Sequence, residues 1–167
     1  MKLLITTLVF LTTTFCLAGE QAVEHIDKLV TTKRGTPIHL KGTESIVTKD
    51  TFRPPVEIVI EAKTDSTDLR IGYAADQVIF NWRDVPHQLR VDGGAANGQH
   101  KIGAGIIPRN KYVIIRWVVT PKSQTIYVDG EKRFEHAGDY STLDKPVSVF
   151  SDASKVSIKS IKVQKTP

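Results

Sequence analysis

The sequence predicts an all-β fold, an antiparallel sandwich of two sheets. Three observations carry that expectation. Apolar and polar residues alternate with period two from residue 28 onward. The alternating runs are rich in Val, Ile, Tyr, Phe and Trp, and turn residues punctuate them at intervals of about 8–12 residues. No window of a dozen residues carries a helical stripe; one short turn of helix over Gly19 to Asp27 is the only expected departure.

The chain begins with Met1-Lys2 and an uncharged run from Leu3 to Leu17, then turns polar at Gly19-Glu20. A basic start, a short apolar stretch and a small residue at the exit form the pattern of a secretory signal peptide. Residues 1–18 are therefore expected to be removed after Ala18, and 19–167 to form a single sandwich domain. The apolar run falls short of the roughly 20 residues a membrane span needs. A secreted or periplasmic destination follows, with no span left after cleavage. The only cysteine, Cys16, lies inside this segment. The remaining chain thus has no disulfide, no thiol nucleophile and no thiolate metal site, and about 150 residues suffice to bury a core.

The whole chain has 23 Lys+Arg against 18 Asp+Glu. Without Lys2 the excess is +4, with a late group at Lys155, Lys159, Lys162 and Lys165. The charge is mild and carries no stacking aromatics, so nucleic acid is not an expected partner and a solvated surface is.

The strands follow in order. Ile58, Ile60 and Ala62 share one face of the run from Val56. Leu69, Ile71 and Tyr73 form the next inward set, then Val78, Phe80 and Trp82, then Leu89 and Val91. Val113, Ile115, Trp117 and Val119 alternate with polar or outward positions, as do Ile126 and Val128. Val147 with Val149, Val156 with Ile158, and Ile161 with Val163 close the series. Asp129-Gly130 between two runs is a strong hairpin signal, because both residues tolerate the positive φ of a tight turn. Gly93 to Asn110 is the longest irregular stretch, and long loops in compact domains are often functional.

The second half resembles a known superfamily. Tyr112 to Thr120 (YVIIRWVVT), Gln124 to Glu131 (QTIYVDGE), Pro146 to Phe150 (PVSVF) and Val156 to Val163 (VSIKSIKV) follow one another as in the concanavalin-A-like lectin/glucanase superfamily, laminin-G-type domains included. The likeness covers roughly residues 55–163. It implies a jelly-roll sandwich and, in sugar-binding and sugar-cleaving members, a glycan held on a concave sheet face and its rim loops.

Catalytic motifs are sparse. Glycosidases need two carboxylates about 5–10 Å apart. The Glu-x-Asp-x-x-Glu strand of laminarinase-type members is absent here, and Glu57 and Glu61 stand about 13 Å apart on an extended strand. The five histidines, His25, His39, His87, His100 and His136, form no HxH or HxxxH pair. No phosphate loop and no serine elbow appear. Cofactors are not expected. For calcium, Asp76, Asp84, Asp92, Asp139, Asp144 and Asp152 lie in or near loops, without the spacing of a compact calcium loop. The reading therefore leans away from an enzyme.

The outward faces remain. Glu57, Glu61, Arg70, Asn81, Gln88, Arg90 and Asp92 are expected to share one wet sheet face, with Trp82, Tyr73 and Tyr140 as nearby aromatics. The loop is expected to fold over its edge, pinned by Ile102, Ile106 and Ile107. The candidate ligand contacts are Arg70, Asn81, Trp82, Gln88, Arg90, Asp92, Asn97 and His100, and the expected partner is a carbohydrate. The leading function is a non-catalytic, lectin-like domain. The alternatives are a glycoside hydrolase or polysaccharide lyase with a dispersed acid/base pair, and a protein-binding adhesion domain of laminin-G type with an apolar patch at Ile79, Ile106 and Ile107.

Overall fold

A computed structural model describes residues 36–166. The expected signal peptide with Cys16, the helical turn over 19–27 and His25 lie outside the described residues.

Twelve strands form two antiparallel sheets, and no helix occurs among the described residues. The strands are β1 (Ile38–Gly42), β2 (Ser45–Val47), β3 (Val56–Thr64), β4 (Leu69–Gly72), β5 (Gln77–Phe80) and β6 (Gln88–Asp92). They continue with β7 (Lys101–Ile102), β8 (Val113–Thr120), β9 (Ser123–Val128), β10 (Glu131–Ala137), β11 (Ser148–Phe150) and β12 (Ser154–Lys165). One sheet runs β1-β12-β3-β8-β9-β10, the other β2-β11-β4-β5-β6-β7. We call them the β12 sheet and the β6 sheet.

The period-two pattern sets the layering. Along β3 the residues Val56, Ile58, Ile60 and Ala62 are buried, and along β8 so are Val113, Ile115, Trp117 and Val119. Leu69, Ile71, Val78, Phe80, Leu89 and Val91 close over them from the β6 sheet, making one continuous core. Branched and aromatic side chains on two facing pleats bury about 10 Å of thickness between the sheets, which is the sandwich's main source of stability. Tyr73 meets Trp117 edge-on with ring centroids 6.2 Å apart.

The Asp-Gly hairpin forms as expected. Asp129 and Gly130 have φ of 49° and 85°, and Glu131 pairs with Val128 across the turn. The Asp129 carboxylate also accepts the Ile114 amide at 2.8 Å, tying the turn to the neighbouring strand.

The core contains one polar chain that alternation does not announce. Gln124 is fully buried on β9. Its Oε1 accepts the Trp117 indole N–H at 2.8 Å, and its Nε2 donates to Tyr140 Oη at 2.8 Å. Tyr140 Oη lies 2.8 Å from His136 Nδ1. Each buried polar atom thus has a partner, which removes the penalty of burying it.

Two aromatic expectations change. Tyr73 and Tyr140 are 1% and 3% exposed, so neither offers a ring to a ligand. Burial pushes both phenols above their usual range, and the Tyr73 hydroxyl donates to Phe52 O at 3.0 Å.

Candidate functional site

The expected wet face divides between two sheets. Glu57 and Glu61 lie on β3, in the β12 sheet, whereas Arg70, Arg90 and Asp92 lie in the β6 sheet. All have inward-facing neighbours, so the two groups point away from each other on opposite sides of the sandwich. The reason is topological: the chain crosses between sheets after β3, a step that alternation within strands does not reveal. Glu57 is engaged by Arg116 at 2.6 Å and Gln164 at 3.2 Å, and Glu61 by Lys159 at 2.5 Å.

The β6 sheet carries the richer surface. One cross-strand row on its outer face reads Ser45, Phe150, Arg70, Ile79, Arg90. Ile79 sits on this wet face yet is only 1% exposed. Its direct cross-strand neighbours are Arg70 and Arg90.

Around this row the side chains form one hydrogen-bonded network. Arg90 Nε donates to Asp92 Oδ2 at 2.7 Å, and Gln77 Nε2 donates to the same oxygen at 2.8 Å. Gln77 Oε1 accepts from Arg70 at 3.0 Å. Arg70 continues to Asp152 at 2.6 Å and to Asp68 at 3.4 Å, and Arg83 also bonds both of those carboxylates. Asp68 is fully buried beneath the two guanidiniums, with a φ of 50°. Three arginines balance three aspartates, so the network's formal charge is zero.

Trp82 completes this surface by a departure from alternation. Asn81 follows β5 with φ of 50°, so the next side chain does not fall on the core side where period two places it. Trp82 instead stacks on Arg90, whose guanidinium carbon is 4.3 Å from the ring centroid. Asn81 itself is 5% exposed and fully committed. It donates to Ser66 O and Ile107 O at 3.3 and 3.0 Å and accepts the Ile107 amide at 2.9 Å. Its place is structural: it locks the loop's far end onto β5. Gln88 stands half-buried at the start of β6, outside the network.

The loop from Gly93 to Asn110 does lie along β6. His100 Nδ1 accepts the Val91 amide at 3.1 Å, and Asn97 Oδ1 accepts the Gly93 amide at 2.8 Å. Both side chains therefore sit beside the strand bearing Arg90 and Asp92, each with an acceptor spent on its backbone. Lys101–Ile102 adds a short strand there, covering an edge that would otherwise expose unpaired groups. The pins differ from expectation. Ile102 and Ile106 are exposed at 63% and 54%, while Ala96, Ala104 and Ile107 are buried. Small residues win because the backbone approaches so closely: a Cβ on Gly105 would stand 2.3 Å from Gln88 O, and one on Gly94 2.2 Å from Ala74 O. With Ile79 and Ile107 both 1% exposed, the expected apolar adhesion patch reduces to Ile106.

A depression of about 300 Å³ adjoins the network, lined by Val47, Gly72, Asp76, Lys145 and Ser148 among others. Gly72 keeps it open, since a Cβ there would meet Ser148 Oγ at 2.5 Å. Its volume lies at the lower end of small-ligand pockets.

Catalytic arrangement is thin. Asp68, Asp92 and Asp152 are each bonded to guanidiniums, and Glu57 and Asp92 face opposite directions, so those two cannot form one acid/base pair. Among the described residues no three His, Cys, Asp or Glu side chains gather as a metal would require. The loop aspartates are dispersed: Asp76 pairs with Lys145, Asp144 with Arg53, and Asp139 caps Ser141, whose hydroxyl and amide hold its carboxyl below the usual range.

No family model matches the chain, and no curated protein matches it significantly. Solved structures do. A putative glycosyl hydrolase from Parabacteroides distasonis superposes with a TM-score of 0.58 at 13% identity, covering 81% of this chain and 89% of that one. A β-glucanase from Bacillus licheniformis gives 0.57 at 12% identity, with 78% of each chain covered. A galectin from Caenorhabditis elegans gives 0.53 at 12% identity, covering 80% and 92%. The fold is the concanavalin-A-like sandwich. These neighbours include a lectin and glycan-cleaving enzymes, and at such identities they share the architecture alone. Within this concanavalin-A-like frame, Gln77, Asp68, Arg83 and Asp152 are the site members that sequence reading missed. Gln77 alternates outward beside Ile79 and was legible; Asp152 joins the network from eighty-two positions beyond Arg70 and was not.

Proposed function

We propose that the outer face of the β6 sheet is a carbohydrate-binding site and that the domain is a non-catalytic, lectin-like module of an exported protein. The observation that carries this reading is the Trp82–Arg90–Asp92–Gln77–Arg70 array. It sets planar hydrogen-bonding groups, already held rigid by one another, next to an indole ring. Sugar hydroxyls need such fixed donors and acceptors, and a pyranose face stacks on an aromatic surface. Preorganisation lowers the entropy cost that weak sugar contacts must otherwise meet. The network's zero formal charge favours a neutral glycan, and the adjoining depression at Gly72 offers room for a second sugar unit. Asn97 and His100 serve as rim positions that hold the β6 edge.

Screening on a neutral glycan array and on insoluble polysaccharides tests the reading. Wild type should bind at least one glycan, and Arg90→Ala or Trp82→Ala should weaken binding by roughly tenfold or more, since stacking or a charge-assisted hydrogen bond each supplies about 1–3 kcal/mol. Failure to bind any glycan at millimolar protein would sink the proposal. Release of reducing ends from mixed polysaccharides, abolished by Asp92→Asn, would instead establish the hydrolytic alternative.

A further inference from the structure

The opposite face of the sandwich is charged quite differently. β12 is the longest strand, and its Lys155, Lys159, Lys162 and Lys165 are all exposed. Lysines often blunt edge strands against aggregation. That explanation does not cover Lys155, which stands where β12 is paired with β1 on one side and β3 on the other; beyond Ile158 the strand is paired with β3 alone among the described residues.

The bulge in β12 decides where these lysines point. Ile158 and Ile161 are both buried although they are three residues apart, and the register shifts between Ile158 and Ser160. Strict alternation from Ile158 would turn Lys162 into the core. The extra residue restores the pattern, so that Lys155, Lys159 and Lys162 share the outer face.

Neighbouring strands add to the line. Lys41 on β1 stands directly opposite Lys155, and Lys63 on β3 opposite Ser157. Like charges facing each other across strands are unfavourable, so the fold carries a cost here. The Tyr112 ring lies under two ammonium groups, Lys159 at 4.1 Å and Lys63 at 5.0 Å. Against five lysines, Lys41, Lys63, Lys155, Lys159 and Lys162, stand four carboxylates: Glu57, taken up by Arg116; Glu61, ion-paired with Lys159; and Glu44 and Asp65, which accept the backbone amides of Lys41 and Lys155. Among the described residues the ammonium groups of Lys41, Lys63 and Lys162 have no carboxylate within ion-pair distance. Among the described residues this face thus carries an excess of positive charge, while the network on the β6 face is neutral.

We propose that the β12 face is a second binding surface, for an acidic polysaccharide whose carboxylate or sulfate groups lie along the lysine row. The row is linear: seven residues separate Lys155 from Lys162, about 23 Å at the rise of an extended strand. Lys165, paired with the buried Val56, falls on the other face of the strand. A line of compact ammonium charges fits a linear polyanion. A membrane surface would call for an apolar tip ringed by the cations, and single-stranded nucleic acid for a row of free aromatic rings. Here Tyr112 is already covered by lysines.

Binding of fluorescent heparin to the purified chain, followed by anisotropy across a salt titration, tests this. Wild type should bind at low salt and weaken as salt rises. The triple variant K155Q/K159Q/K162Q should lose roughly tenfold in affinity, three exposed charge contacts being worth a few tenths to one kcal/mol each. The charge-matched control K49Q/K101Q/K122Q, placed elsewhere, should bind as wild type does, and so should Arg90→Ala, which separates this surface from the neutral-glycan site. Equal losses in the two triples, absence of wild-type binding at low salt, or abolition by Arg90→Ala would each overturn the proposal. So would a lysine-dependent affinity for phosphatidylserine vesicles or duplex DNA with none for heparin.

Discussion

Replacing Gln124 by Leu should expose how much the buried polar chain contributes. Gln124 is fully buried and accepts the Trp117 N–H while donating to Tyr140. Leucine keeps the volume and removes both functions. The indole N–H, in the centre of the core, then has no partner, at a cost of about 1–3 kcal/mol. Tyr140 keeps His136 within hydrogen-bond distance, so its loss is smaller, about 0.5 kcal/mol. The added apolar burial offsets part of this, leaving a net destabilisation of about 2 kcal/mol. In urea, with a slope of about 2 kcal/mol/M, the midpoint should fall by about 1 M. A second measurement isolates the cause. In a Trp117→Phe background no indole N–H remains to be orphaned, so Gln124→Leu should cost at least about 1 kcal/mol less there. A neutral Gln124→Leu, or an equal cost in both backgrounds, would refute the reasoning.

Two further outcomes follow from particular residues. Asn81→Ala removes three hydrogen bonds and places alanine at φ of 50°, so we expect a loss of about 3 kcal/mol and a melting temperature lower by roughly 10 °C; a variant of wild-type stability that fails to bind glycan would show instead that Asn81 is a ligand contact. The Asp65 carboxyl is held below its usual range chiefly by the Lys155 amide, with the Ser66 hydroxyl adding to it against the opposing effect of burial. Because its folded value is the lower one, its contribution is present at neutral pH and is lost as pH falls below about 4. Asp65→Asn should therefore flatten the acid limb of the stability curve, and superimposable limbs in the two proteins would contradict this.

The sequence alone determined the fold class. Inward positions such as Ile58, Ile60, Trp117 and Val119 recur with period two because a strand has only two faces, and one of them is buried. The Asp129-Gly130 turn was equally legible, since few other residue pairs accept its dihedrals. It also marked Arg70, Arg90 and Asp92 as outward. What it could not assign was which outward residues share a surface. Glu57 and Arg90 alternate alike, yet the chain changes sheet between them, and that partition depends on long-range pairing. Breaks in periodicity were hidden for the same reason. The left-handed Asn81 turns Trp82 onto Arg90, and the bulge after Ile158 turns Lys162 outward. Only tertiary packing selects such local departures, because each is offset by contacts distant in sequence: Ile107 for Asn81, and β1 and β3 for the β12 bulge.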